Sequence, residues 1–320
     1  KTGTSERGRD GMTKRLLDCS ASDLAAFTKQ ELLASISGSE GRVLAAECIG
    51  ITHPLLGDVT NAEFAASMGA DILLLNMFDV KEPVVKGLPQ GVSSGDTVRE
   101  LKRLTGRVIG INLEPVEDSA AAENAGTLWE MTPGRKATVE NAGTACEMGV
   151  QLLVLTGNPG NGVSNKAITD SLKAISGALG DKIILAAGKM HASGILSEGG
   201  ERIITKEDIQ SFVEAGADII LLPAPGTVPG ITMEYVRELV SFAHGLGALT
   251  ITAVGTSQEG ADTATIKQIA LLCKMTGTDI HHIGDSGYPG MAVPENIMAY
   301  SIAVRGVRHT YHRMALSVNR

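Results

Sequence analysis

Eight times along this chain a helix-like stretch ends in glycine and a short apolar run follows within a few residues. The segments are "SEGRVLAAE", "SMGADILLLN", "LTGRVIGINLE", "EMGVQLLVLTG", "ALGDKIILAAG", "EAGADIILLPAPG", "GLGALTITAVG" and "MTGTDIHHIGDSG". Their glycines (Gly41, Gly69, Gly106, Gly149, Gly180, Gly216, Gly247 and Gly277) lie 28 to 43 residues apart, close to one βα unit each. Glycine suits the residue after a helix, where a left-handed conformation penalises a Cβ. Each following run is rich in Ile, Leu and Val without strict polar alternation, as a parallel strand covered on both faces requires.

Helix starts lie between the strands. "TKQELLASI" and "TKEDIQSFVEAG" both carry capping-box spacing, Thr28 with Glu31 and Thr205 with Asp208. The first precedes the first strand and reads as an added helix. Eight strands alternating with helices predict an α/β fold of (β/α)8 barrel type with an extra N-terminal helix. An open doubly wound sheet is the alternative, but "AAECIGITHPLLG" has no GxGxxG fingerprint and no nucleotide cofactor is expected. Residues 12–320 read as one barrel domain. Residues 1–11, "KTGTSERGRDG", read as a disordered extension or an expression remnant.

At 320 residues, 43% of them hydrophobic, the chain is long enough for a large core. The net charge of -8 argues against nucleic acid as a partner. No apolar run approaches a membrane span, and the lack of a leader pattern makes the cytoplasm the expected location. The basic C-terminal stretch "RGVRHTYHRMALSVNR" reads as a solvated helix end or a subunit contact in a homo-oligomer. Cys19, Cys48, Cys146 and Cys273 form no CxxC pair and read as reduced thiols.

In such barrels chemistry gathers at the C-terminal ends of the strands, and here nearly every strand end is polar. Glu47, Asp79, Asn112 and Glu114 follow the first three strands, and Asp79 with Glu114 are candidate ligands of Mg2+ or Mn2+. Thr156 and Asn158 end the fourth and open the loop "LTGNPGNGVSN", a candidate substrate contact. The seventh and eighth strands end in "GTSQEG" and "GDSG". Gly255, Thr256, Ser257, Gly284, Ser286 and Gly287 there suit a phosphate cradle, with Asp285 placed for a sugar hydroxyl or a metal. His281 and His282 point to opposite faces of one strand, so one belongs to the lumen and the other to the core.

Lys189 and His191 follow the fifth strand. Period two puts them on one face with Leu185 and Ala187 if the strand stays extended through Gly188. A lysine there serves as a Schiff-base amine or a charge clamp, and a histidine moves protons.

"LLDCSASDL", "LLGDVTNAEFAASMGADILLLNMFDV", "GINLEPVED", "AGKMHASG", "LLPAPGTVPGITME" and "PENIMAYSIAVRGVRHTYHRMA" together resemble a bacterial TIM-barrel family of unknown function. Its members are often labelled phosphoenolpyruvate phosphonomutase-like, or haloacid dehalogenase-like hydrolase. The DxDx(T/V) nucleophile motif of the second label is absent. The first label implies strand-end carboxylates with Mg2+, a part open to Asp79 and Glu114. The paired aspartates and Lys-Cys loop usual in that group are not found.

The expected function is an enzyme acting next to a carbonyl of a small, anionic, phosphorylated metabolite: a lyase, mutase or isomerase. Lys189, His191, Glu114 and Glu47 are its candidate catalytic residues. Alternatives are metal-assisted hydrolysis through Glu47, Asp79 and Glu114, and a barrel that binds a metabolite without catalysis.

Overall fold

The computed structural model describes residues 13–116, 131–157, 163–191, 197 and 199–320. The expected extension at 1–11 and Asn158 lie outside the described residues. Eight strands close into a parallel barrel in sequence order. They are β1 (Val43–Ile49), β2 (Ile72–Asn76), β3 (Val108–Leu113), β4 (Leu152–Leu155), β5 (Ile184–Gly188), β6 (Ile219–Pro223), β7 (Leu249–Val254) and β8 (Ile280–Ile283). The barrel closes through pairing of β1 with β8, Ala45 opposite His282.

Two helices precede the first strand where the sequence predicts one: α1 (Ala21–Ala26) and α2 (Lys29–Ser37). Both start with a capping box, Ser20 with Asp23 and Thr28 with Glu31. Among the described residues, eight further α-helices surround the sheet: α3 (Asn61–Ser67), α4 (Thr97–Thr105), α5 (Val139–Met148), α6 (Asn165–Leu179), α7 (Lys206–Glu214), α8 (Met233–Gly245), α9 (Thr263–Thr276) and α10 (Pro294–Ala315). Among the described residues, no helix is long and apolar enough to cross a membrane.

Alternation along the strands separates two apolar clusters. Leu44, Leu73, Ile109, Leu153, Leu185 and Ile220 face the helices. Val43, Ala45, Ile72, Leu74, Val108, Ile184, Ala186 and Ile280 fill the lumen, together with Leu16, Leu24, Leu32 and Ile36 from the N-terminal segment. Those last side chains plug the N-terminal end of the barrel. Lys29 of α2 fixes the plug by an ion pair with Asp218 at 2.7 Å. Only the C-terminal end is left for polar residues.

The basic tail is built differently from its sequence reading. Arg305 and Arg313 are buried and reach Asp71 at 2.5 and 2.8 Å, so these two bind α10 to the barrel instead of facing solvent. The surplus positive charge meets backbone carbonyls, which Arg313 reaches at Cys19 and Arg305 at Gly69.

Candidate active site

Lumen alternation fixes the inward residues of the upper layer. Val43 and Ala45 are followed by Glu47, Ile72 and Leu74 by Asn76, Val108 and Gly110 by Asn112, and Ile280 by His282. These four polar side chains meet where the apolar filling ends. Asn112 donates through Nδ2 to Glu47 Oε1 at 2.7 Å and to Asn76 Oδ1 at 3.2 Å. Glu47 Oε2 lies 2.9 Å from His282 Nε2, with Glu47 4% and His282 1% exposed. In the neutral ring a carboxylate oxygen at that distance takes the proton on Nε2, which leaves the lone pair on Nδ1. Nδ1 is buried and has no hydrogen-bond partner among the described residues.

His281 points the other way, toward Tyr300 of α10 and the Gly41 carbonyl, and burial lowers its pKa to about 4. The opposed histidine faces are as the sequence requires, and the lumen member is His282.

Asp285, just beyond β8, joins the same network. Its Oδ2 accepts from Asn76 Nδ2 at 2.7 Å, and its Oδ1 accepts from the Gly287 amide at 2.8 Å. Burial and the neighbouring Glu47 charge raise its pKa to about 6. Glu259, from the loop after β7, is a third carboxylate within electrostatic reach of Glu47 and is raised by burial. Three of the four described non-glycine residues with left-handed backbone, Met77, Ser257 and Ser286, lie in the loops after β2, β7 and β8. Such strain gathers where structure is held for function.

The loops after β7 and β8 depart from the phosphate cradle expected of them. Gly255 lies against the Met190 side chain, whose Sδ would be 2.2 Å from a Cβ placed there. At Gly284 a Cβ would meet the Val254 carbonyl at 2.7 Å. The Ser286 and Gly287 amides, expected donors to an anion, are taken up by Glu259 Oε1 and Asp285 Oδ1. The Thr256 hydroxyl donates to the Thr227 carbonyl at 2.7 Å. Ser257 accepts the Gly260 amide through its own carbonyl. This side of the mouth is therefore lined by carboxylates instead of anion donors.

The β5 end also needs a correction. Leu185 and Ala187 lie in the helix-facing cluster, and Met190 packs with the lumen cluster. The inward phase of the strand thus runs through Ile184 and Ala186, with Met190 packed on the lumen cluster beyond it, and the strand stops before Lys189. The strand ends at Gly188, where a Cβ would sit 2.0 Å from the Leu221 carbonyl oxygen. Lys189 is nonetheless only 3% exposed. His191 lies within electrostatic reach of Glu47, while burial lowers its pKa.

Glu114 and Asp79 are each engaged separately. Glu114 forms a buried ion pair with Arg135, whose charge opposes the rise in pKa that burial causes. Asp79 Oδ1 accepts from the Lys81 and Glu82 amides at 2.7 and 3.0 Å. No group of three or more His, Cys, Asp or Glu among the described residues is arranged to hold a metal ion. One or two carboxylates with waters can hold Mg2+ or Mn2+, but here the described contacts of Asp79 and Glu114 are to protein donors. Thr156 is buried at the end of β4, and a Cβ on neighbouring Gly157 would lie 3.6 Å from Glu114 Cγ.

His282, Asn76, Glu259 and Arg135 complete the arrangement beyond the residues singled out as catalytic or binding in the sequence. Asn76 and His282 carry a signal, since each is the polar member of an otherwise apolar inward row. Glu259 and Arg135 sit in loops whose local pattern does not distinguish them.

A family model described as "Domain of unknown function (DUF7916)" matches residues 17–320. No curated relative matches the sequence. Among solved structures, the chain is similar to a protein from Burkholderia cenocepacia J2315 provisionally described as a lyase/mutase. The identity is 17%, with 93% of this chain and 95% of that chain covered and a TM-score of 0.47. A thiamine phosphate pyrophosphorylase from Pyrococcus furiosus shares 12% identity over 83% of this chain and 96% of its own, with a TM-score of 0.45. A 2,3-dimethylmalate lyase, described as a PEP mutase/isocitrate lyase superfamily member, shares 14% over 80% of each chain, with a TM-score of 0.46. At this distance the likenesses select no chemistry.

Proposed function

We propose a reaction class for this chain, which belongs to the DUF7916 family: general acid–base catalysis next to the carbonyl of a small metabolite, as in a lyase, mutase or isomerase. The observation that carries it is the buried Glu47–His282 pair, with one imidazole nitrogen held by a carboxylate and the other free. Glu47 is the positioning residue. It fixes the tautomer and ring orientation and favours the imidazolium once a proton arrives. Asn112 in turn holds Glu47.

In this reading His282 Nδ1 takes a proton from the carbon beside the carbonyl, and the C–H electron pair moves onto the carbonyl oxygen. The enolate then either regains a proton at carbon, which isomerises the substrate, or expels a group from the next carbon, which cleaves it. Asp285, titrating near neutrality, suits the return of a proton. Lys189 is assigned to the carbonyl end as a buried cation, and His191 to its neighbourhood.

The test is deuterium exchange. A panel of small 2-oxo and 3-oxo acids in D2O should gain deuterium with the native chain and lose most of that exchange with His282→Asn. Exchange that persists in His282→Asn would sink the assignment, as would turnover at native rate. Borohydride in the same mixtures separates two roles for Lys189. A reduced adduct on Lys189 identifies a Schiff base, and turnover without an adduct leaves the lysine as a fixed charge.

A further inference from the structure

We propose that the Glu259–Ser286 side of the mouth is a subsite for a primary ammonium group of the substrate. The assignment builds on the reading of the mouth as a substrate site, but it draws on different atoms. Glu259 is 4% exposed. Its Oε1 accepts from the Ser286 amide at 3.1 Å, and its backbone carbonyl accepts from Asn296 Nδ2 at 2.9 Å. The residue is thus held at its backbone and at one carboxylate oxygen, yet Oε2 is buried without a hydrogen-bond partner among the described residues. The Ser286 hydroxyl, carried on a left-handed residue at φ 59°, is likewise buried and has no partner among the described residues.

A buried carboxylate oxygen without a donor is costly, so a fold that keeps one is poised to receive a donor. The chemistry of the unpartnered atoms decides which donor. Glu259 Oε2 only accepts. His282 Nδ1 only accepts while Nε2–H faces Glu47. The Ser286 hydroxyl accepts or donates. A primary ammonium offers three N–H donors and no acceptor, and it brings a positive charge to a place where Glu47, Glu259 and Asp285 act on one another electrostatically. A phosphate or carboxylate group would bring more acceptors and more negative charge. A hydroxyl would bring one donor and no charge.

The test uses methylammonium as the probe. Thermal unfolding of the full chain is followed at about pH 8, where carboxylates are ionised and the amine is protonated. Methylammonium chloride, tetramethylammonium chloride and sodium phosphate are compared at equal ionic strength. Methylammonium should raise the Tm saturably, as a ligand of the native state does. Tetramethylammonium has the same charge and no N–H, and should not. Glu259→Gln keeps an acceptor for the Ser286 amide and should abolish the shift, and Ser286→Ala should weaken binding several-fold. If Glu259→Gln does not fold, Ser286→Ala carries the comparison.

Equal shifts from the two ammonium ions overturn the subsite. So does a shift that survives Glu259→Gln, or saturable stabilisation by phosphate alone. Methylammonium binding without deuterium exchange on any oxo acid leaves the subsite standing and removes the acid–base reading. Exchange that depends on His282, without a methylammonium response, does the reverse.

Discussion

Glu47 on β1 and His282 on β8 meet across the seam that closes the barrel, Oε2 to Nε2 at 2.9 Å. The register places Ala45 opposite His282, so Glu47 rises two residues above its partner toward the mouth. The pair therefore exists only in the closed barrel. Asn112 from β3 holds the other carboxylate oxygen at 2.7 Å, which leaves the imidazole one free nitrogen in a fixed direction.

If the two side chains act as one unit, their losses should not add. Glu47→Gln keeps an acceptor for Asn112 but no longer stabilises an imidazolium. It should lower kcat by about 10²- to 10⁴-fold, the usual worth of a positioned acid or base. His282→Asn should cost as much, and the double variant little more than either. Steady-state kinetics of the three variants on an exchanging substrate checks this. Losses that multiply would show independent roles.

Asp285 should make the protein less stable as the solution becomes more basic. Its pKa stands at about 6 in the fold, against 3.8 for an ordinary aspartate. The folded state therefore holds this proton more tightly than the unfolded chain. The resulting contribution is fully present below about pH 4 and is lost as pH rises through about 6. Asp285→Asn removes the charge, so it should stabilise the protein at neutral pH by at most about 3 kcal/mol. The gain should vanish below about pH 4. Urea unfolding at several pH values measures it, and a pH-independent effect would contradict this account.

The barrel was legible in the sequence because its signals are local. A glycine after each helix and an apolar run after each glycine follow from one residue's φ and one strand's burial. The lumen histidine was legible as far as a choice between two neighbours. The β5 phase was not, because Leu185, Ala187 and Lys189 share a parity that suits either face. Packing settles it, with Met190 above the lumen cluster and Leu185 under the helices. The contacts of the β7 and β8 loops were not legible for a related reason. Their glycines answer to Met190 and Val254, which are far away in sequence. Glu259 meets the Ser286 amide only once both loops are in place.

Among the described residues, Asp71 is the one carboxylate paired with Arg305 and Arg313 of α10. It also accepts from the Leu44 amide at 2.8 Å, so it links the C-terminal helix to the first strand. Asp71→Asn should destabilise the protein by about 3–5 kcal/mol, because it leaves buried guanidinium charge without its counterion. Denaturant unfolding should show the loss with an unchanged m-value. A change under about 1 kcal/mol would mean that the backbone carbonyls around the two arginines suffice.

Glu114 and Arg135 form a buried pair beside the mouth, with exposures of 8% and 5%. Burial raises the Glu114 pKa, while the Arg135 charge and hydrogen bond oppose that rise. Removing the arginine alone, as in Arg135→Met, strands a buried carboxylate and should cost about 3–5 kcal/mol near neutral pH. The cost should shrink toward acid pH, where Glu114 takes up a proton and no charge is left to pair. Arg135→Met with Glu114→Gln should recover most of the stability, since neither charge is then buried alone. The pair then serves structure, and exchange activity in the double variant should stay near native. If stability returns but exchange is lost, Glu114 takes part in proton transfer beside His282.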